Sequence, residues 1–147
     1  MDPIKQKIDV FFQRYEGRFT AGIKGEVDID GTTAAFANCF VEASPAGITC
    51  GQNDAGFREA IPKGYDFYRS IGTQSMKIVS KEIIPLDDLH FICKIHWRAS
   101  YLKKNTKNEE IIDFDVFYVL QHLNDALKIF AYVTGDEQKV LKERGLI

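Results

Sequence analysis

A chain of 147 residues, 45% hydrophobic and 12% aromatic, can bury roughly two thirds of its unfolded surface, so a single domain over residues 1–147 is expected. Its 19 basic and 21 acidic side chains leave a formal net charge of −2. The lysines are scattered among acids, which excludes a basic face for a phosphate backbone and makes nucleic acid an unexpected partner.

In chain order, Asp2 and Pro3 form a capped helix start. Ile4, Ile8, Phe11, Phe12, Tyr15 and Phe19 then recur at helical spacing, predicting a first helix over residues 3–20. The glycines of "TAGIKGEVDIDG" break the pattern. Asp30 or Thr33 can cap a second helix presenting Phe36, Cys39 and Phe40. "GITCG" reads as a short strand. Asn53 caps a third helix with Phe57, Ile61, Tyr65 and Tyr68 on one side, bent or interrupted by Pro62 and closed at Gly72.

From Gln74 onward the apolar period falls from about 3.6 to about 2, giving strands at 74–84, 90–102, 110–122 and 128–134. The connectors "PLDD", "KKNTKN" and "LNDA" are short and suit antiparallel hairpins rather than crossovers. "TGDEQKVLKERG" is a closing helix, opened by Thr134 or Asp136 and ended at Gly145. The expected fold is α+β, with helices packed on one face of a curved antiparallel sheet and the third helix across its concave side.

The strand "IIDFDVFYVL" carries Asp113 and Asp115, a residue type that strands disfavour. Charge pairing predicts a register with Arg98 opposite Asp115, placing Lys94, His96 and Arg98 on the face of the two aspartates; a one-residue slip reverses this. That face is either a polar pocket or a wet outer surface. Large apolar residues on both faces of the same strands, Trp97, Phe114 and Tyr118 among them, predict a homodimer.

This element order resembles the NTF2-like superfamily of cystatin-like cone folds, which includes ketosteroid isomerases, SnoaL-like polyketide cyclases and scytalone dehydratase. "QRY" at 13–15 with "TAG" at 20–22 is similar to the first helix of ketosteroid isomerases. "DVF" at 115–117 is similar to the D-x-F of their penultimate strand. The resemblance implies that Tyr15 and Asp115 face a common pocket as two neutral hydrogen-bond donors to a developing oxyanion. It also supports dimerisation.

There are two departures. The proton-shuttling aspartate of ketosteroid isomerases falls at "VEASPAGITCG", where Ala43, Ser44 and Pro45 stand and only Glu42 is near. An Arg98 beside Asp115 would moreover keep that carboxyl ionised. Steroid isomerisation by the same route is therefore not expected.

The expected function is small-molecule binding, as an isomerase, cyclase or lyase working by acid–base chemistry in an enclosed pocket. Asp115, Tyr15 and His96 are the candidate catalytic residues. Arg98, Asp113, Phe36, Tyr65, Tyr68 and Tyr132 are the candidate ligand-binding residues. The alternative is a non-catalytic dimerisation or ligand-binding module, with Asp115 paired on a solvated face, Tyr15 a core aromatic and Asp136 a helix cap.

No cofactor is expected, and His90, His96 and His122 lack metal-site spacing. Cys39, Cys50 and Cys93 are odd in number and outside any C-x-x-C pair, which points to the cytoplasm. "MDPIKQKIDVFF" reads as no secretion signal, and no run approaches the ~18 apolar residues of a membrane span.

Overall fold

A computed structural model describes residues 2–147; Met1, part of the expected domain, lies outside the described residues. Asp2 caps α1 (Pro3–Ile23), its side chain accepting from the Ile4 N–H at 3.1 Å, with Pro3 in the first turn where no N–H is needed. The short α2 (Ile29–Ala34) is capped by Asp28 rather than Asp30 or Thr33. β1 (Phe36–Ser44) and β2 (Gly47–Gln52) follow as a hairpin.

The assignment of Phe36, Cys39 and Phe40 to the second helix is thus corrected: they belong to β1. A spacing of four residues fits the helical and the strand period equally, and Phe36 and Phe40 pack together with ring centroids 4.9 Å apart.

α3 (Ala55–Ser70) is capped by Asp54, not Asn53. The Asn53 amide instead donates to the carbonyls of Thr33 and Phe36, at 2.8 and 3.2 Å, and ties α2 to β1. Pro62 lies inside α3 without ending it. The helix is held from outside by Phe57, Phe67 and Tyr68, which pack on the core.

Gly72, at φ +84°, reverses the chain into β3 (Thr73–Pro85). β4 (His90–Leu102), β5 (Glu109–Leu123) and β6 (Ala126–Val133) complete the sheet, and α4 (Glu137–Glu143) follows, capped by Asp136. The strand order is β2-β1-β6-β5-β4-β3.

All pairings among β3 to β6 are antiparallel, as the short loops require. β1 joins β6 in parallel, which makes the sheet mixed. This arrangement is an α+β cone.

α1, rather than α3, covers most of the sheet. Its Ile8 and Phe12 are fully buried against the inner face, where β4 presents Cys93, Ile95, Trp97, Ala99 and Tyr101. β5 adds Ile112, Val116, Tyr118 and Leu120 to the same face. Alternation over β4 and β5 sends every second residue outward, so the burial pattern fixes the facing of each side chain.

The helix also repairs a defect in the sheet. The register of β3 shifts between Ile78 and Ser80, and the Ile78 N–H finds its acceptor in the Glu16 carboxylate of α1 at 2.6 Å. α1 and α3 approach closely at Gly22, where an added Cβ would fall 2.4 Å from the Tyr65 ring.

Candidate functional site

The register decides which polar residues share a wall. In β4 and β5, His96 stands opposite Asp115 and Arg98 opposite Asp113. All four point to the outer face, away from α1, because Ile95, Trp97 and Ala99 take the inner positions. The expected pairing of Arg98 with Asp115 is corrected by two residues of register, a shift that keeps both side chains on one face. The shared pocket of Asp115 with Tyr15 is corrected too: the sheet separates them.

On that outer face Arg98 Nε and Nη2 each donate to Asp113 at 2.8 Å. His96 Nδ1 lies 2.7 Å from Asp115 and Nε2 lies 3.3 Å from Asp113. With a carboxylate at each ring nitrogen, only the imidazolium can donate to both. The hydrogen bonds to Asp115 and then Asp113 raise the His96 pKa. Arg98's hydrogen bonds foremost hold Asp113 down at about 2.

These side chains remain between 32% and 52% exposed. The group is a salt-bridge network in which both His96 nitrogens and both Asp113 oxygens have partners within it. Two aspartates are tolerated in a strand here because cations face them across the ladder.

The inner wall is different. Tyr15 of α1 packs at 6.1 Å from Trp97 and 5.7 Å from Tyr118, and Trp97 Nε1 donates to the Tyr118 hydroxyl at 3.3 Å. Burial raises the pKa of both phenols, above all that of Tyr118. They stay protonated hydrogen-bond donors at any ordinary pH.

Tyr118 leads to Tyr132, its cross-strand partner on β6, at 6.3 Å between ring centroids. Tyr132 is paired in turn with Glu42 of β1. Burial and then the negative charge of Glu42 raise the Tyr132 pKa. Phe36 and Phe40 flank Tyr132 at 6.1 and 6.5 Å.

At the rim, the Tyr68 hydroxyl donates to Glu137 of α4 at 3.0 Å. Its pKa is raised by burial and then by the Glu137 charge. Desolvation raises the pKa of Glu137, Tyr68's donation opposes this, and repulsion from Glu42 adds to it. Tyr65 packs behind Phe19 at 5.5 Å, and its pKa is pushed up to about 12 chiefly by burial.

Of the nine expected site residues, Tyr15, Phe36 and Tyr132 lie on the inner face, Tyr68 at its rim, and Tyr65 between α1 and α3. Asp115, Asp113, His96 and Arg98 form a separate outer cluster. Sequence reading missed Tyr118, Trp97 and Glu137 as members of the inner group and noted Glu42 only as the acid near the proton-shuttle position. Tyr118 was legible in principle, since it shares the inner parity with Val116 and Leu120. Among the described residues no group of three His, Cys, Asp or Glu side chains could hold a metal ion. None of their helices is long and apolar enough to cross a membrane.

A curved sheet wrapped around a long first helix is the architecture of the NTF2-like class of α+β cones. The chain matches the family described as NTF2-like protein (DUF6841) over residues 5–137, and it belongs to that family. No curated protein is matched.

Among solved structures it is similar to Aln2 from a Streptomyces species, with TM-score 0.66 and 16% identity over 98% of each chain. An NTF2-like protein with a cystatin-like fold from Novosphingobium aromaticivorans gives TM-score 0.65 and 11% identity, covering 97% of this chain and 88% of that one. A ketosteroid isomerase-like protein from Erwinia carotovora atroseptica gives TM-score 0.60 and 14% identity, covering 87% and 92%. At these identities the likeness carries the fold.

Proposed function

We propose that the whole chain acts as one NTF2-like domain that binds a small planar molecule at the open end of its cone and performs acid–base chemistry on it. The observation that carries this reading is the juxtaposition of two kinds of group on one wall. Two neutral phenols, the buried Tyr118 and the partly buried Tyr15, adjoin Tyr132 with its register partner Glu42.

Neutral donors in a dry wall stabilise an enolate-like oxygen without reorganising as its charge develops. Glu42 is the proton acceptor, and Glu137, held at the rim by the Tyr68 hydroxyl, relays the proton. Tyr68 positions Glu137, and Phe36 and Tyr65 complete the apolar wall. The outer Asp115, Asp113, His96 and Arg98 take no part in this chemistry.

The test is a fluorescence titration with 2-naphthol at a pH where it is ionised, so that its naphtholate oxygen stands in for an enolate. Tyr15→Phe and Tyr118→Phe should each weaken binding by about tenfold or more, the loss of one hydrogen bond to a charged oxygen. Asp115→Asn should leave it unchanged. Equal binding by all variants sinks the proposal.

A second reading, a non-catalytic association module, is favoured by the tight aromatic packing of the same wall, where Phe12 also lies 5.2 Å from Tyr118. In either reading the protein is a homodimer in the cytoplasm. The outer sheet face supports the dimer, since Ile111 is 43% and Phe117 37% exposed there, beside a network carrying both charge signs.

A further inference from the structure

One side of α1 faces neither the sheet core nor the inner wall. Lys7, Val10, Arg14 and Arg18 recur along it at helical spacing. They form one bank of a groove of about 630 Å³, whose other bank is built by α2 and the β5–β6 hairpin. The middle of the groove is apolar, floored by Phe11, Ala35 and Leu127.

Its two ends differ. At one end Lys7 is already neutralised by Asp125 at 2.6 Å. There His122 Nε2 is buried without a hydrogen-bond partner, 3.9 Å from the same carboxylate. At the other end stand Arg14 and Arg18, and among the described residues neither is in an ion pair. The Arg18 guanidinium lies 5.9 Å from the Tyr15 ring centroid.

Two unpaired guanidinium groups on successive turns suit a carboxylate, which each can grip through paired N–H donors. A buried nitrogen left without a partner costs free energy that a hydroxyl group on a ligand would recover. Eleven residues of helix separate Lys7 from Arg18, a span of roughly 16 Å.

We propose that this groove binds a small amphipathic carboxylate: its acid on Arg14 and Arg18, its hydrocarbon body over Phe11 and Leu127, and a terminal hydroxyl on His122 Nε2. The volume admits one such molecule, and the charge pattern selects an anion over a neutral lipid. The groove meets the inner wall only where Arg18 lies beside Tyr15; Tyr118 and Glu42 do not line it, so variants at those two residues tell the two readings apart.

The experiment is calorimetric titration of the full chain with ω-hydroxydecanoate, with decanoate and decanol as companion probes. Saturable one-to-one binding of ω-hydroxydecanoate is expected, with decanoate weaker and decanol weaker still. The double variant Arg14→Gln/Arg18→Gln removes the two guanidinium groups, neither of which is in an ion pair among the described residues. It should weaken both acids by about tenfold or more while leaving decanol as it was. His122→Phe should erase the advantage of the hydroxyl, and Glu42→Gln should change nothing. Absence of saturable binding, or the same affinity for the acids in the double variant, would overturn the proposal.

Discussion

His96 and Asp115 face each other across β4 and β5 on the outer side of the sheet, with Nδ1 2.7 Å from the carboxylate. The pair holds a positive imidazolium on a face where Lys94 and Arg98 already stand, because Asp113 and Asp115 both lie within its reach. Its raised pKa gives a definite sign to the pH response. Stabilisation from this pair is complete below the ordinary histidine value of ~6.5 and is lost as pH rises through the higher folded value. Asp113 acts at the other end: its contribution is present above ~3.9 and disappears as pH falls through about 2.

Asp115→Asn removes the strongest of these contacts. A histidine titration followed by NMR should show the His96 pKa above ~6.5 in the parent and lower in the variant, with the spectrum of the inner wall unmoved. An unchanged His96 titration would mean that the pair does not form in solution.

Glu16 is the acceptor for the N–H that the β3 irregularity leaves free. Glu16→Ala should destabilise the fold by roughly 1–3 kcal/mol, the cost of orphaning a backbone donor in a partly buried site. Glu16→Gln, which keeps an acceptor oxygen, should recover part of that loss. Urea denaturation midpoints decide the matter, and equal midpoints for parent and Glu16→Ala would refute it.

Gly72 has a positive φ of +84°, and an added Cβ would lie 2.1 Å from the Leu102 carbonyl oxygen. That carbonyl belongs to the strand end that also donates its N–H to Gly72 at 2.8 Å. Gly72→Ala should therefore cost at least about 1–3 kcal/mol through backbone strain, measured as a drop in thermal midpoint. Gly17, with nothing within 4 Å of its added Cβ, is the control.

These positions show what could be read from sequence and what could not. The switch from helical to alternating period at Gln74 carried the four-strand meander, because facing in a strand follows from parity alone. The same parity should have placed Asp113 and Asp115 outward, since Ile112, Val116 and Leu120 claim the core. The resemblance of "DVF" to a ketosteroid isomerase strand pulled Asp115 inward, and a charge-matched register agreed with it. Arg98 had a second partner two residues away, so charge alone could not choose.

β1 was hidden for another reason. Its phenylalanines are spaced for a helix as well as a strand, and its parallel partner β6 lies most of the chain away in sequence. Glu137 and Tyr68 meet only through tertiary packing, which no local pattern announces.

The outer face also carries the dimer prediction. Trp97 and Tyr118, expected to be wet without a partner, are instead buried inside. The residues that remain for association are Ile111 and Phe117, the latter with the Lys94 ammonium 5.7 Å from its ring centroid. Sedimentation at micromolar concentration should give a dimer, and Phe117→Glu or Ile111→Lys should shift it toward monomer. A parent monomer at that concentration would contradict the assignment.

Whether the proposed acid–base site lies at the inner wall or at the outer aspartates of β5 is decided most directly by a crystal structure of the protein with 2-naphthol bound at saturation. Chemistry at the inner wall predicts the ligand oxygen within hydrogen-bonding distance of the Tyr15 or Tyr118 hydroxyl, with the ring reaching toward Tyr132 and Glu42. A naphthol bound instead against His96 and Asp115, with the inner aromatics undisturbed, would contradict it.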